Sequence, residues 1–274
     1  MKKTLIYTTF YVKNISYESL IWEWLISLRT LGKYSGEILI FDYGMSEELV
    51  DRLQKFKLGP PKIIKLPETD NYIISNRRNI DVIPHLEQYT DYLIAHFDAD
   101  IWFQRDIAPL WEDCNNTQGV VVGKEVGRSC RFRGPEEEEQ KYTEKQNSLK
   151  GFIFGGFIAG KQKPYLAKLK HMKTLFEGSW KPTIEWGSDQ TMITHIIDPS
   201  VDNLEGIIYG LSTYFCELGE TIKCKCGDED YQHQGKEGIG IHVLAFASVG
   251  NEKEDLYTEY RFKHRYPELW KKHQ

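Results

Sequence analysis

The stretch DYLIAHFDADIWF, residues 91–103, decides how the rest of the chain is read. An apolar run, DYLIAHF (91–97), ends on Asp98 and Asp100, and Ile101, Trp102 and Phe103 then carry the apolar character on. A short apolar run of strand formers reads as a buried β-strand. Two carboxylates at its end, in a partly dry setting, repel each other and are costly without a cation. A hard divalent ion, Mn²⁺ or Mg²⁺, removes that cost. It accepts carboxylate and phosphate oxygens together and keeps coordination positions open for a diphosphate. An Asp-x-Asp tripeptide alone is a weak signal, because two surface carboxylates at a turn are spelled the same way. The strand before it and the apolar residues after it give it weight.

Toward the N-terminus the pattern alternates. TLIYTTF (4–10) reads as a strand, and residues 16–31 as a helix with Leu20, Trp24, Leu28 and Leu31 at helical spacing and Ser16 as its N-cap. EILIFDYG (37–44) is a second strand, Ser46 caps a second helix, and KIIKLP (62–67) is a third strand. Residues 75–89 read as helical, with Pro84 kinking that helix or lying near an end. This alternation predicts an α/β fold, a mainly parallel twisted sheet flanked by helices. Such sheets bind ligands beyond the carboxyl ends of their strands. Three of those ends carry polar groups: Thr8 with Thr9, Asp42, and Asp98 with Asp100.

The second half is less regular. GVVVGKEVG (119–127) reads as a strand, and the polar stretch 128–150, with its run Glu136 to Glu139, as a solvated loop. GFIFGGFIAG (151–160) reads as a buried strand against which another element packs closely. Helices are expected at about 163–177 and from Ser188, and a late strand in GIGIHVLAF (238–246). No linker separates two domains, so residues 1–250 form one domain and 251–274 a C-terminal aromatic and basic helical segment.

Composition narrows the function classes. The 274 residues are 41% apolar and 27% charged, with a formal net charge of -5, as in an ordinary globular protein. A chain that neutralises many nucleic-acid phosphates has a basic total or a basic face, so nucleic acid is excluded as the main partner. No apolar run reaches the roughly 20 residues of a spanning helix. Five sparse cysteines suggest free thiols in a reducing, cytoplasmic setting. Cys216, Cys224, Cys226 and His233 could form a zinc set, although Cys-x-Cys is not the usual spacing. The tail YTEYRFKHRYPELWKKHQ mixes aromatic and basic residues, a composition suited either to packing on the domain or to peripheral contact with an anionic membrane.

The stretch DYLIAHFDADIWFQRDIAPLWE, with Asp106, Ile107 and Leu110 after the Asp-x-Asp, resembles that region of the retaining glycosyltransferases of family 8, the group of glycogenin and bacterial lipooligosaccharide galactosyltransferases. GFIFGGFIAG and SDQTMIT (188–194) are similar to the family's Gly-containing strand and Asp-Gln motif, in the same order. The resemblance implies a single GT-A type nucleotide-sugar-binding domain and transfer of a hexose, with retention, from a nucleotide-sugar, a UDP-sugar, to a glycan, glycolipid or other acceptor hydroxyl.

It also implies roles. Asp98 and Asp100 would bind the metal, Asp98 also reaching the ribose or sugar, with His242 as third ligand; Gly250 and Lys253 follow it at longer spacing than the family's His-x-x-Gly-x-x-Lys. Thr8, Thr9 and Tyr11 would contact the uridine, and Arg77 or Arg78 the donor diphosphate or sugar. Asp189 would bind donor-sugar hydroxyls and Gln190 lie beside the anomeric carbon, although Asp189 also suits a helix's first turn. Gly155 and Gly156 would let the pocket wall approach the sugar. Two other readings use the same residues: a metal-dependent nucleotidyltransferase or phosphohydrolase, for which the chain lacks a Gly-rich phosphate loop, and a non-catalytic sugar-nucleotide-binding module.

Overall fold

The apolar runs that flank Asp98 in sequence become neighbours in one sheet. In a computed structural model they form β1 (Thr4–Phe10), β2 (Glu37–Asp42), β3 (Lys62–Lys65) and β4 (Leu93–Phe97), all running the same way. The structure describes residues 2–11, 18–67, 76–103, 105–126, 131–184 and 187–204, together with the short strands β8 (Ile222–Lys223), β9 (Asp230–Tyr231) and β10 (Gly240–His242). β5 (Ile101–Phe103) follows the Asp-x-Asp turn and leaves the main sheet. β6 (Val120–Val126) and β7 (Gly151–Lys161) complete a six-stranded sheet of order β3-β2-β1-β4-β7-β6. Only β7 is reversed, antiparallel to both its neighbours, so the sheet is mainly parallel.

Alternate residues along these strands feed two cores, one on each face. Ile6, Ile40, Ala95, Phe97 and Val121 pack toward α1 (Glu18–Thr30), α2 (Glu47–Gln54) and, after β5, α4 (Ala108–Asn116). Leu5, Leu39, Ile94, Val122 and Ile158 pack toward α3 (Ile83–Leu86), α5 (Glu136–Leu149), α6 (Gln162–Glu177) and α7 (Ser188–Ile196). A strand buried on both faces has no polar alternation, which is why these segments read as continuous apolar runs.

Ser46 caps α2 by accepting the Leu49 N–H at 3.2 Å. Ser16 lies outside the described residues, as do the C-terminal segment and the proposed zinc set. Two expectations are corrected. The stretch 128–150 contains a helix: Glu136–Leu149 is α5, with Tyr142 and Leu149 buried beneath it. Its four leading glutamates occupy the first turn, where unpaired backbone N–H groups favour negative charge. Between 76 and 89 the helix is broken: residues 76–77 are helical, 78–82 are turns and α3 follows, with Pro84 within its first two positions, where no backbone donor is needed. No helix of the described residues is long and apolar enough to cross a membrane.

The chain after α7 is tied back to β6 by Asp202. One of its carboxylate oxygens accepts the Val120 N–H at 2.9 Å; the other accepts the Asp198 N–H at 2.7 Å and the Lys168 ammonium at 2.6 Å. Asp202 is buried, and a side chain at Gly119 would come within 2.0 Å of it. Asp202→Ala leaves two backbone donors and an ammonium without their acceptor. It is expected to cost about 3 kcal/mol of stability by urea denaturation; a change below about 1 kcal/mol would show that the carboxylate is dispensable.

Candidate functional site

The parallel strands bring their carboxyl ends to one edge. Phe10 lies in register with Asp42, and Tyr7 with His96, two residues before Asp98. β7 crosses this edge in the opposite direction. Its ladder to β6 slips, so that Val122 pairs with Ile158 but Lys124 with Ile153, and the extra residues, Phe154 to Phe157, bulge beside the end of β4. The Asp98 N–H donates to the Gly156 carbonyl at 2.9 Å within that bulge. A Cβ on Gly156 would stand 2.7 Å from Asp98 Oδ2, and one on Gly155 would stand 3.2 Å from the Cβ of Gln190. A side chain at Gly156 would therefore displace Asp98 or Phe154, and one at Gly155 would crowd Gln190.

The second functional segment is the start of α7. Gly187 precedes it at a φ of +83°, a left-handed conformation suited to glycine, and would meet Arg133 if it carried a side chain. Asp189 sits in the first turn with its N–H donating to Asn76 Oδ1 at 2.8 Å. Thr194 fastens the helix to β7, accepting the Ile153 N–H at 3.1 Å and donating to the Gln190 carbonyl at 2.9 Å.

Arg78 joins the two segments. Its Nη1 donates to Asp98 Oδ1 at 2.5 Å, and its Nη2 and Nε donate to Asp189 Oδ2 at 2.6 and 3.1 Å. Nη2 also lies 3.4 Å from the Gly155 carbonyl. Only 17% of the Arg78 side chain and 3% of the Asp189 side chain are exposed. Burial works against the Arg78 charge, but Asp98 and Asp189 outweigh it and raise its pKa further above the ordinary arginine range. Burial raises the Asp189 carboxyl, Arg78 pulls it the other way, Asp98 adds to the rise, and the net direction is upward. Arg77 is separate: it forks onto Asp81 at 2.8 to 3.2 Å with 41% of its side chain exposed, and Asp81 also accepts from Tyr43.

The remaining sequence candidates lie as follows. Thr8 is buried and Thr9 and Tyr11 are half-buried at the end of β1. Asp42 is spent on its own turn, accepting the Gly44 and Met45 N–H groups at 2.7 and 2.5 Å. Asp100 is buried on the turn between β4 and β5. β10 (Gly240–His242) pairs antiparallel with β5, and His242 is in register with Ile101, the residue after Asp100. The donor set of Asp98 and Asp100 suits a hard divalent ion. Among the described residues no three His, Cys, Asp or Glu side chains converge to hold one. An ion there would need a further ligand from a side chain outside the described set, such as that of His242, or from a bound phosphate, as is usual for Mg²⁺.

Two residues were not singled out in the sequence. Asn76 positions the Asp189 backbone. His96 is wholly buried in β4, with its ring 5.0 Å from that of Tyr7 and its Nε2 3.5 Å from Asp98 Oδ1. The available signal was a histidine inside an apolar strand at the two-residue spacing that puts it on the face of Asp98.

Comparison with known proteins completes this picture. Among solved structures, a bifunctional glycosyltransferase, WbbM, in its apo form, superposes at a TM-score of 0.51 and 14% identity, over 74% of this chain and 38% of its own. The galactosyltransferase LgtC, in complex with donor and acceptor sugar analogues, superposes at 0.48 and 12% identity, over 73% of each chain. The chain has a GT-A type fold. No protein-family model and no curated protein sequence matches it.

Removing the bridging cation tests the electrostatics. Arg78→Met leaves two partly dry carboxylates facing each other and is expected to cost about 3 kcal/mol at neutral pH. With Arg78 gone, burial and Asp98 both hold the Asp189 proton more tightly in the folded than in the unfolded state. The folded state then gains protons relative to the unfolded state as the pH falls, so the deficit against wild type should shrink as the pH is lowered from neutral. Parallel urea titrations that give a constant or growing deficit would contradict this electrostatic account.

Proposed function

We propose that this protein is a metal-dependent glycosyltransferase that moves a hexose from a nucleotide-sugar, a UDP-sugar, to a glycan or other acceptor hydroxyl with retention of configuration. The observation that carries this reading is the meeting of Asp98, Asp189 and Arg78 at the carboxyl edge of a GT-A type sheet, beside glycines that leave the wall open. In open α/β sheets that edge is the ligand-binding place.

A divalent ion held by Asp98 and Asp100, with His242 as the ligand from β10, would offset the charge that collects on a departing nucleoside diphosphate. Thr8, Thr9 and Tyr11 end the strand next to β4 and offer hydroxyl groups to a nucleoside. Arg78 orients Asp189, and Asp189 in turn accepts from sugar hydroxyls at the first turn of α7. Gln190 stands across Gly155 at the same helix start, a neutral amide suited to the face of the anomeric carbon remote from the leaving group. Its carbonyl dipole can stabilise the positive charge that a glycosyl transition state develops. Arg77, bound to Asp81 on the outside, has no part in this scheme.

The test is a panel of nucleotide-sugars, with and without Mn²⁺, scored for release of free nucleotide. One donor should give metal-dependent release, and Asp100→Ala should reduce it by about 100-fold or more while the variant stays folded. Metal-independent release, or an active Asp100→Ala variant, would overturn the metal assignment. Absence of both release and metal-dependent nucleotide binding would overturn the enzyme class. Product analysis showing an inverted anomeric centre would overturn retention.

A further inference from the structure

We infer that His96 is a positioning residue for Asp98, its Nε2–H holding Oδ1 so that the carboxylate faces the metal in one orientation. The inference rests on the metal-dependent reading of Asp98 proposed above.

His96 is wholly buried, yet neither ring nitrogen has a hydrogen-bond partner among the described residues. A buried polar atom left unpaired costs stability, and an apolar ring of the same shape would not carry that cost. Packing alone therefore does not account for a histidine here, because a phenylalanine would serve the contact with Tyr7 equally well. That contact is firm on the other side: the Tyr7 ring lies at 5.0 Å, tilted by 31°, and the Tyr7 hydroxyl is fixed by Tyr165 at 2.8 Å. The imidazole is thus held in place from β1 and α6, with its Nε2 3.5 Å from Asp98 Oδ1.

At 3.5 Å the pair stands just beyond hydrogen-bond length, and Arg78 already occupies Oδ1. A shift of about half an ångström in the carboxylate closes the gap. A cation held by Asp98 and Asp100 would supply such a shift by drawing the Asp98 carboxylate away from Arg78. Metal-ligating carboxylates are themselves held by hydrogen bonds, and loss of such a partner weakens metal affinity about 10- to 100-fold. A neutral imidazole, with one N–H to give and no charge to compete with the metal, suits this duty.

The experiment compares wild type, His96→Phe and His96→Gln in the full chain. Phenylalanine keeps the ring and removes both nitrogens. Glutamine restores an N–H near the place of Nε2. Melting temperature is read by circular dichroism, and Mn²⁺ affinity by calorimetric titration in the presence of UDP. The expected result is a His96→Phe protein that melts no lower than wild type yet binds Mn²⁺ about tenfold more weakly, with most of the affinity regained in His96→Gln. Equal Mn²⁺ affinity in wild type and His96→Phe would overturn the inference and leave His96 a packing residue. Should His96→Phe not fold, His96→Asn, whose amide matches Nδ1, replaces it: weaker Mn²⁺ binding than in His96→Gln supports the inference, and equal binding overturns it. A wild-type protein that binds no Mn²⁺ with UDP would overturn this inference together with the reading of Asp98 beneath it, and is distinguishable from the other outcomes.

Discussion

One guanidinium holds the site together. Asp98 ends β4 and Asp189 begins α7, more than 90 residues apart in sequence, and both give an oxygen to Arg78. In a medium of low effective dielectric the two carboxylates repel strongly, and the structure is tenable only with a cation between them. Arginine suits the position because its donors fan out in one plane and can satisfy two carboxylates and a carbonyl together. Lysine, a point charge on a flexible stem, would neutralise the site without fixing its angles. Whatever binds beside Asp98 must therefore either accept Arg78 as a neighbour or displace it from Oδ1.

The backbone makes room for this interaction in a particular way. A wholly parallel sheet would place another strand end beside β4. Here the neighbour is the reversed strand β7, which runs past the end of β4 and bulges where it passes. The bulge turns the Gly156 carbonyl to the Asp98 N–H, and the two glycines leave room for Asp98 and Gln190. The same strand then anchors α7 through Thr194. The turn after β4 and the start of α7 thus lean on the same strand.

Much of this was legible in the sequence, because burial on both faces leaves a strand no polar alternation and makes it stand out. β1, β2, β4 and β7 could be read from their apolar runs, and the Asp98–Asp100 turn from the end of one of them. Tertiary contacts that no local pattern encodes were not legible. The reversal of β7 depends on pairing partners distant in sequence. α5 was hidden because its glutamate run has the composition of a loop, and only Tyr142 and Leu149 mark its inner face. The choice between Arg77 and Arg78 was open for a related reason: adjacent residues in a turn point in different directions, and which one faces inward is set by Asp81 on one side and Asp189 on the other.

Unsatisfied polar groups add an independent signature. Asn79, His96 and Thr191 are among the buried side chains with polar atoms that find no hydrogen-bond partner among the described residues. Asn79 follows Arg78, His96 precedes Asp98 by two residues, and Thr191 follows Asp189 by two, so each member of the ion network has one close by in the chain. The comparison with other unpartnered groups is instructive. In Trp24 and Trp180 a large apolar ring offsets one lost N–H bond. In Glu23 burial pushes the carboxyl up to about 8, so the side chain is neutral at neutral pH and escapes the cost of a buried charge. Neither excuse serves Asn79 or Thr191, for which leucine and valine would be isosteric and better suited to a dry interior. Natural proteins depart from local consistency mainly where function requires it. Three such departures, on three separate segments, each lie within two residues of a member of the Arg78 network, the pattern expected of an edge kept polar for a ligand rather than for stability.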